Sequence, residues 1–314
     1  MARCLFCYRE LKDEETDFHG SCAKKIFGTN KVPEISITCE TLKLFAEENI
    51  QSRNAIAGVQ AKLSMYLDTT IRKQTKLTIV GFAGNYILKP QSEKYPNLPE
   101  NEDLSMHLAE CVGIKTVPHS LIRLKNNELC YITKRIDRTK EGKKVAMEDM
   151  AQLTQRLSED KYKSSYEQIA KTIRLYSSIP GFDIGEFAKQ VLFAWIIGNS
   201  DMHLKNFSLI NENGKWKLSP AYDLLNVKLA MPKDKEELAL ILNGKGGEHQ
   251  YKASDFKKAF ETFGLTPTTI DYLFNFFVAA ESQMHQVIKT SFLPQAMQQQ
   301  YAKLISARLK RLAS

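Results

Sequence analysis

The stretch GNSDMHLKNFSLINENGKWKLSPAYDLLN, residues 198–226, decides the fold. Asp201 stands five residues before Asn206, and a second acid, Asp223, follows two short apolar runs, FSLI and KWKL, that flank the turn NENG. Runs of that length around an Asn-Gly turn predict a β-hairpin. A hairpin returns the chain, so it would carry Asp223 back beside Asn206. The resulting set is the one phosphoryl transfer uses: an Asp to orient and deprotonate the attacking hydroxyl, and an Asn and an Asp to hold the magnesium that bridges nucleotide phosphates. The spacing alone also fits a solvated loop. The hairpin turns three scattered polar residues into one candidate cation site.

Upstream, residues 183–197 are apolar nearly all round and lead straight into this stretch, which predicts a buried central helix with Trp195 in the core. Helical spacing also predicts helices over 147–157, 166–176, 253–262, 268–289 and 294–313, with Arg308, Lys310 and Arg311 on a solvated face of the last. Before residue 139 the pattern is different. Strand-like segments LSMYLD, NYILK and LCYITKRID, with a helix near 39–49 and another over 101–112, predict a small β-rich region. The fold class is therefore α+β, with residues 29–138 and 139–314 as two lobes and residues 1–28 set apart.

Three further features carry chemistry. Lys89 ends the strand NYILK, and Glu102 lies in the first turn of the following helix; a strand lysine paired with a helix glutamate holds nucleotide phosphates. The same residues also suit a solvent-facing strand end and an acid favoured at a helix N-terminus. The loop Ala57, Gly58, Val59, Gln60, Ala61 and Lys62 could bring backbone amides to phosphates. One glycine alone is equally a turn. In the first segment, Cys4 with Cys7 and His19 with Cys22 give four soft ligands in two close pairs, suited to a tetrahedral structural Zn2+. Free thiols in a reducing cytosol are the other reading, and Cys39, Cys111 and Cys130 sit among apolar residues as core thiols.

The 314 residues, 43% of them apolar, are ample for a buried core. A net charge of +8 permits an acidic partner, but the lysines and arginines are spread along the chain rather than gathered on one element. No apolar run approaches the ~18 residues of a membrane span and the start lacks a signal-peptide pattern, so the expectation is a cytoplasmic protein with no membrane association. The cysteines do not indicate a disulfide scaffold.

Taken together, GNSDMHLKNFSL, AYDLL, AIAGVQAKLS, YILKP followed by NLPENE, and KRIDR resemble, in order, the motifs of the HipA family of bacterial serine/threonine protein kinases, the toxin half of HipBA-type toxin-antitoxin systems. The resemblance implies a two-lobed kinase-like fold, ATP and Mg2+ as donor and cofactor, and an aminoacyl-tRNA synthetase as protein substrate. It also implies a HipB-like helix-turn-helix antitoxin as partner, with DNA contacted through that complex. By position, Asp201 would be the catalytic base, Asn206 and Asp223 the magnesium ligands, and His203 a phosphate neighbour. Lys89 would bind phosphates, and residues 57–62 with Lys134, Arg135 and Ile136 would line the nucleotide. Full-length members carry a longer N-terminal subdomain, so the chain resembles the short, HipT-like form in which a separate small HipS-like protein supplies it. The family loop usually has autophosphorylated serines where this chain has Ala55 and Ala57, so self-silencing at those positions is not expected. The Asp-x-His-x-x-Asn spacing is also shared by aminoglycoside and choline phosphotransferases, and a non-catalytic pseudokinase module is the third reading.

Overall fold

The computed structural model describes residues 2–35, 62–68, 76–79, 84–139 and 142–314. The loop Ala57 to Ala61, Ala55 and the helix expected near 39–49 lie outside the described residues. The chain divides into two compact units, one of residues 1–103, 117–144 and 290–292, the other of residues 104–116, 145–289 and 293–314.

The first unit is built on a sheet of six strands: β1 (Glu34–Ile35), β2 (Leu63–Asp68), β3 (Lys76–Ile79), β4 (Tyr86–Lys89), β5 (His119–Arg123) and β6 (Leu129–Lys134). Their order is β1-β3-β2-β4-β6-β5, antiparallel except for β1 on β3. Side-chain alternation explains the strands. Leu63 and Met65, Tyr86 and Leu88, and Cys130 and Ile132 share one buried face. Lys89 pairs with Tyr131 across β4 and β6, and so stands on the opposite face.

Helix α1 (Gly20–Phe27) buries Cys22, Ala23, Ile26 and Phe27, and these join Cys4, Leu5 and Phe18 in the core of the sheet. Residues 2–28 therefore do not stand apart as the sequence reading had it. A segment with so few apolar residues cannot bury a core alone, and it shares one instead. Helix α2 (Leu98–Cys111) begins earlier than expected, with Asn97 in the left-handed region at φ 60° and its carbonyl accepting from Asn101 N at 3.0 Å.

The second unit holds a three-stranded antiparallel sheet, β7 (Met147–Asp149), β8 (Ser208–Glu212) and β9 (Lys215–Leu218), in the order β7-β8-β9. Around it lie α3 (Met150–Leu153), α4 (Tyr166–Tyr176), α5 (Pro180–Ile196), α6 (Val227–Ala230), α7 (Ala253–Phe263), α8 (Pro267–Ala279), α9 (Glu281–Thr290) and α10 (Gln295–Ala313). Helix α5 is buried on all sides toward its C-terminal end, Trp195 included.

Three local expectations change. Residues 147–157 are not one helix: Met147–Asp149 pair with β8, and Asp149 then caps α3 by accepting from Gln152 N at 2.8 Å while Gln152 Oε1 accepts from Asp149 N at 2.9 Å. The helix expected over 268–289 is two, separated at Ala280. Arg308 and Arg311 are not a solvated face. Arg308 is buried over the Trp195 ring at 4.9 Å and pairs with Glu237 at 2.8 Å, and Arg311 pairs with the same carboxylate. Burial pulls the Arg308 pKa down to about 10. Lys310 is exposed as expected.

Candidate active site

The stretch 198–206 is held by its own hydrogen bonds before any ligand is considered. Helix α5 ends at Ile196, and Gly198 then turns the chain with φ 76°. A Cβ there would meet Leu304 Cδ2 at 2.6 Å, in a backbone region that only glycine enters without strain. Asn199 Oδ1 accepts from Asp201 N at 3.1 Å, and Tyr166 Oη donates to Met202 O at 3.1 Å. A short 3-10 turn, Leu204–Asn206, follows, with Asn206 Oδ1 accepting from His203 N at 3.2 Å. The loop between β8 and β9 is the two-residue kind: Asn213 and Gly214 both have positive φ, 54° and 82°, which matches the right-handed strand twist.

The hairpin returns the chain as the sequence implied. Asn206 Nδ2 lies 3.4 Å from Asp223 Oδ2, and Asp223 adopts φ 60°. The pair offers hard oxygen donors, since Asn206 Oδ1 keeps a second lone pair beside the one directed at His203 N. Amide and carboxylate oxygens suit Mg2+, which prefers a few protein oxygens and keeps the rest of its shell for water and phosphate.

Asp201 is exposed, and its Oδ1 accepts a 2.6 Å hydrogen bond from Tyr162 Oη. His203 is buried, edge-on to the Tyr162 ring at 5.0 Å between centroids. Burial pushes its pKa down to about 4 against the opposing charges of Asp201 and Asp223, so the imidazole is neutral near pH 7. Its Nδ1 has no hydrogen-bond partner among the described residues. Lys205 leans away to Asp149 at 2.9 Å.

In the sheet unit, Lys89 and Glu102 form a buried ion pair at 2.5 Å, with Lys89 Nζ 5.4 Å from the centroid of Tyr131. Lys62 is exposed immediately before β2. The main-chain N–H groups of Lys134 and Arg135 donate to Pro118 O and Asn85 O, each at 2.8 Å, so neither is offered to a ligand. Ile136 is half-buried in the same stretch, and the Arg135 side chain forks onto Asp137. The four thiol and imidazole groups Cys4, Cys7, His19 and Cys22 do come together, every ligand atom within 4.8 Å of the others.

The described residues thus gather Asp201, His203, Asn206 and Asp223 in the helical unit, and Lys89 with Glu102 in the sheet unit. Sequence reasoning missed Tyr162, which no local pattern links to Asp201. It also missed Asp103, which sits beside Glu102 on α2 and is wholly buried between Tyr8 and His119. An acid at each of two adjacent helical positions was the available hint.

The HipA-like C-terminal domain family matches residues 54–290. A protein of Haemophilus influenzae named "Putative kinase" is 30% identical over 274 residues, covering 78% of this chain and 78% of its own length. Two proteins of Sinorhizobium fredii, "Putative kinase Y4dM" and "Putative kinase Y4mE", are 36% and 30% identical over 55% of this chain, which spans 45% and 42% of their lengths. Among solved structures, HipA of Shewanella oneidensis MR-1, from a toxin-antitoxin complex with HipB and operator DNA, has a TM-score of 0.68 over 85% of this chain and 71% of that one, at 19% identity. The Helicobacter pylori proinflammatory kinase CtkA has a TM-score of 0.51 over 75% of this chain and 90% of that one, at 14% identity. At these identities the likeness is one of fold, an α+β kinase-like architecture with a smaller sheet unit and a larger helical unit.

Proposed function

The chain belongs to the family of HipA-like C-terminal domains, and from that premise we propose that it is an ATP-dependent serine/threonine protein kinase, the toxin of a toxin-antitoxin pair. One observation supports the reading above the others: the exposed Asp201 carboxylate accepts a hydroxyl hydrogen bond at 2.6 Å, on the same loop that brings Asn206 to 3.4 Å from Asp223. A general base must stand within that reach of the proton it removes. In the reaction, Asp201 takes the proton of the acceptor hydroxyl while that oxygen bonds to the γ-phosphorus. The bond from phosphorus to the bridging oxygen breaks, leaving ADP. Magnesium, when bound, neutralises charge on the phosphate oxygens. Asn206 and Asp223 would hold the ion, and Lys89, paired with Glu102, would hold the nucleotide phosphates.

His203 takes the place where a lysine stands in ordinary protein kinases. A neutral imidazole in that place gives a directional hydrogen bond instead of a charge. The family further points to an aminoacyl-tRNA synthetase as substrate, whose phosphorylation would halt translation and growth. A helix-turn-helix antitoxin and a small N-subdomain protein are the expected partners, in the cytoplasm. No helix of the described residues is long and apolar enough to cross a membrane.

The test is transfer of label from γ-labelled ATP and magnesium into a bacterial lysate by the wild type and by Asp201→Asn, with labelled proteins identified by mass spectrometry. A labelled synthetase absent with the variant is the expected result. ATP hydrolysis with no labelled protein would move the acceptor to a small alcohol, and no turnover with the small partner present would contradict the kinase reading.

A further inference from the structure

The four ligands of the first segment form a built site rather than a chance gathering. Cys4 and Cys7 flank a tight turn in which Tyr8 N donates to Cys4 O and Cys4 N to Arg9 O, both at 2.9 Å, with Tyr8 at φ 61°. Cys22 lies in the first turn of α1 and His19 immediately precedes that helix. His19 Nε2 donates to Glu10 O at 2.9 Å, which fixes the tautomer and leaves the Nδ1 lone pair facing the thiols. That nitrogen lies 3.4 Å from Cys7 Sγ and 3.7 Å from Cys22 Sγ. Ligands on a tetrahedral zinc are separated by roughly 3.5–3.8 Å, given zinc-to-nitrogen and zinc-to-sulfur bonds of about 2.0–2.3 Å. Both distances from the imidazole nitrogen match the metal, and all four ligand atoms lie within 4.8 Å of one another.

The turn also reaches beyond itself. Tyr8, the residue after Cys7, donates its hydroxyl to Asp103 Oδ2 at 2.6 Å, and His119 Nδ1 donates to Asp103 Oδ1 at 2.8 Å. All three residues are buried. His119 stacks on Tyr131 at 6.0 Å, and Lys89 lies over that same ring. Asp103 follows Glu102, the partner of Lys89. Backbone contacts fasten the knuckle to β5 as well, Leu121 N and Ser120 Oγ both donating to Leu5 O, at 3.3 and 3.1 Å.

We propose that Cys4, Cys7, His19 and Cys22 bind one Zn2+, and that this ion fixes Tyr8 on Asp103 and thereby holds the first turns of α2 so that Glu102 meets Lys89. Tyr8 and Asp103 are positioning residues, and the thiol site places the nucleotide clamp under control of metal supply. The metal assignment stands independently; only the consequence for ATP rests on the kinase reading.

The experiment begins with metal analysis of the purified full chain after equilibration with zinc and removal of excess. About one equivalent is expected, falling below a tenth in Cys4→Ser. Cobalt substitution of the folded wild type, giving the visible absorption of a tetrahedral thiolate site, serves should that variant not fold. Less than a tenth of an equivalent in the wild type, with no cobalt spectrum, overturns the site. Hydrogen exchange then tests the coupling. In Tyr8→Phe, zinc content stays near one equivalent while amides of residues 98–103 exchange at least about tenfold faster and those of α10 do not change. Unchanged exchange at 98–103, both in that variant and in chelated wild type, overturns the coupling. Wild type that holds zinc but binds no magnesium-ATP would sink the kinase reading and leave the zinc site standing.

Discussion

The polar residues around Asp103 and those around Asp201 solve opposite problems. In the sheet unit the charged groups are buried against partners: Tyr8 and His119 each donate to one oxygen of the Asp103 carboxylate, and Lys89 and Glu102 pair at 2.5 Å. In the helical unit Asp201 is exposed, Asn206 and Asp223 face each other loosely at 3.4 Å, and His203 Nδ1 is buried without a hydrogen-bond partner among the described residues. A buried charge left alone costs several kcal/mol, so the first arrangement holds structure. The second sets an exposed carboxylate, which can accept from a hydroxyl, beside amide and carboxylate oxygens of the kind that ligate a cation. Changes in the sheet unit should therefore be read first in stability, and changes in the catalytic loop first in rate.

The largest effect sharpens the rate side. Asp201→Asn should lower phosphoryl transfer by about 10³–10⁴-fold, the loss of a general base, with stability changed by no more than about 0.5 kcal/mol. Steady-state kinetics beside a denaturant titration would check both. Comparable loss of fold and rate would erase the distinction.

The stability side is sharpened by Lys89→Met, which removes the Lys89 counter-charge from buried Glu102 and should cost about 3–5 kcal/mol. The double variant Lys89→Met with Glu102→Leu should recover most of that stability while ATP affinity stays low. Recovered affinity would mean that the pair does not serve the nucleotide.

A buried carboxylate in the helical unit behaves like the sheet-unit network and so tests whether burial or location decides. Burial alone would raise the Glu237 carboxyl, but the Arg311 hydrogen bond, the Arg308 charge and the Trp195 N–H outweigh it and hold its pKa below the ordinary 4.5. Its folded value is depressed, so its contribution is full above pH 4.5 and is lost as pH falls through the lower folded value. Glu237→Gln should cost about 2–3 kcal/mol at pH 7, because Arg308 loses its counter-charge. The gap from wild type should narrow as pH drops below 4.5. Melting curves across pH would show a constant gap if this assignment were wrong.

The smallest effect concerns Tyr162, whose hydroxyl donates to Asp201 Oδ1, the proposed base. Tyr162→Phe should change stability by under about 1 kcal/mol and raise kcat/KM by up to about threefold, by freeing Asp201 Oδ1 for the acceptor hydroxyl. A fall would mean that Tyr162 aims the carboxylate instead of covering it.

The readable parts of the sequence were those governed by short range. Asn213-Gly214 dictated the two-residue turn, and with it the return of Asp223 to Asn206. Lys89 was legible because it ends a strand, whereas Glu102, read as first-turn, lies one turn into α2, which starts at Leu98; their union at 2.5 Å needed the structure. Contacts spanning long separations carry no local pattern: Tyr8 with Asp103, Tyr162 with Asp201 and Glu237 with Arg308. Arginines on a terminal helix look solvated until a buried carboxylate claims them. Met147–Asp149 was misread as helix because a three-residue edge strand is too short to show alternation and is made by its partner β8.

The division of roles between base and metal ligand is tested most directly by calorimetric titration of ATP, with and without magnesium, into wild type, Asp201→Asn and Asp223→Asn. Binding by Asp201→Asn should stay within about threefold of wild type, whereas Asp223→Asn should lose at least about tenfold and become insensitive to magnesium. Full magnesium-dependent affinity in Asp223→Asn, or an equal loss in both variants, would contradict the account.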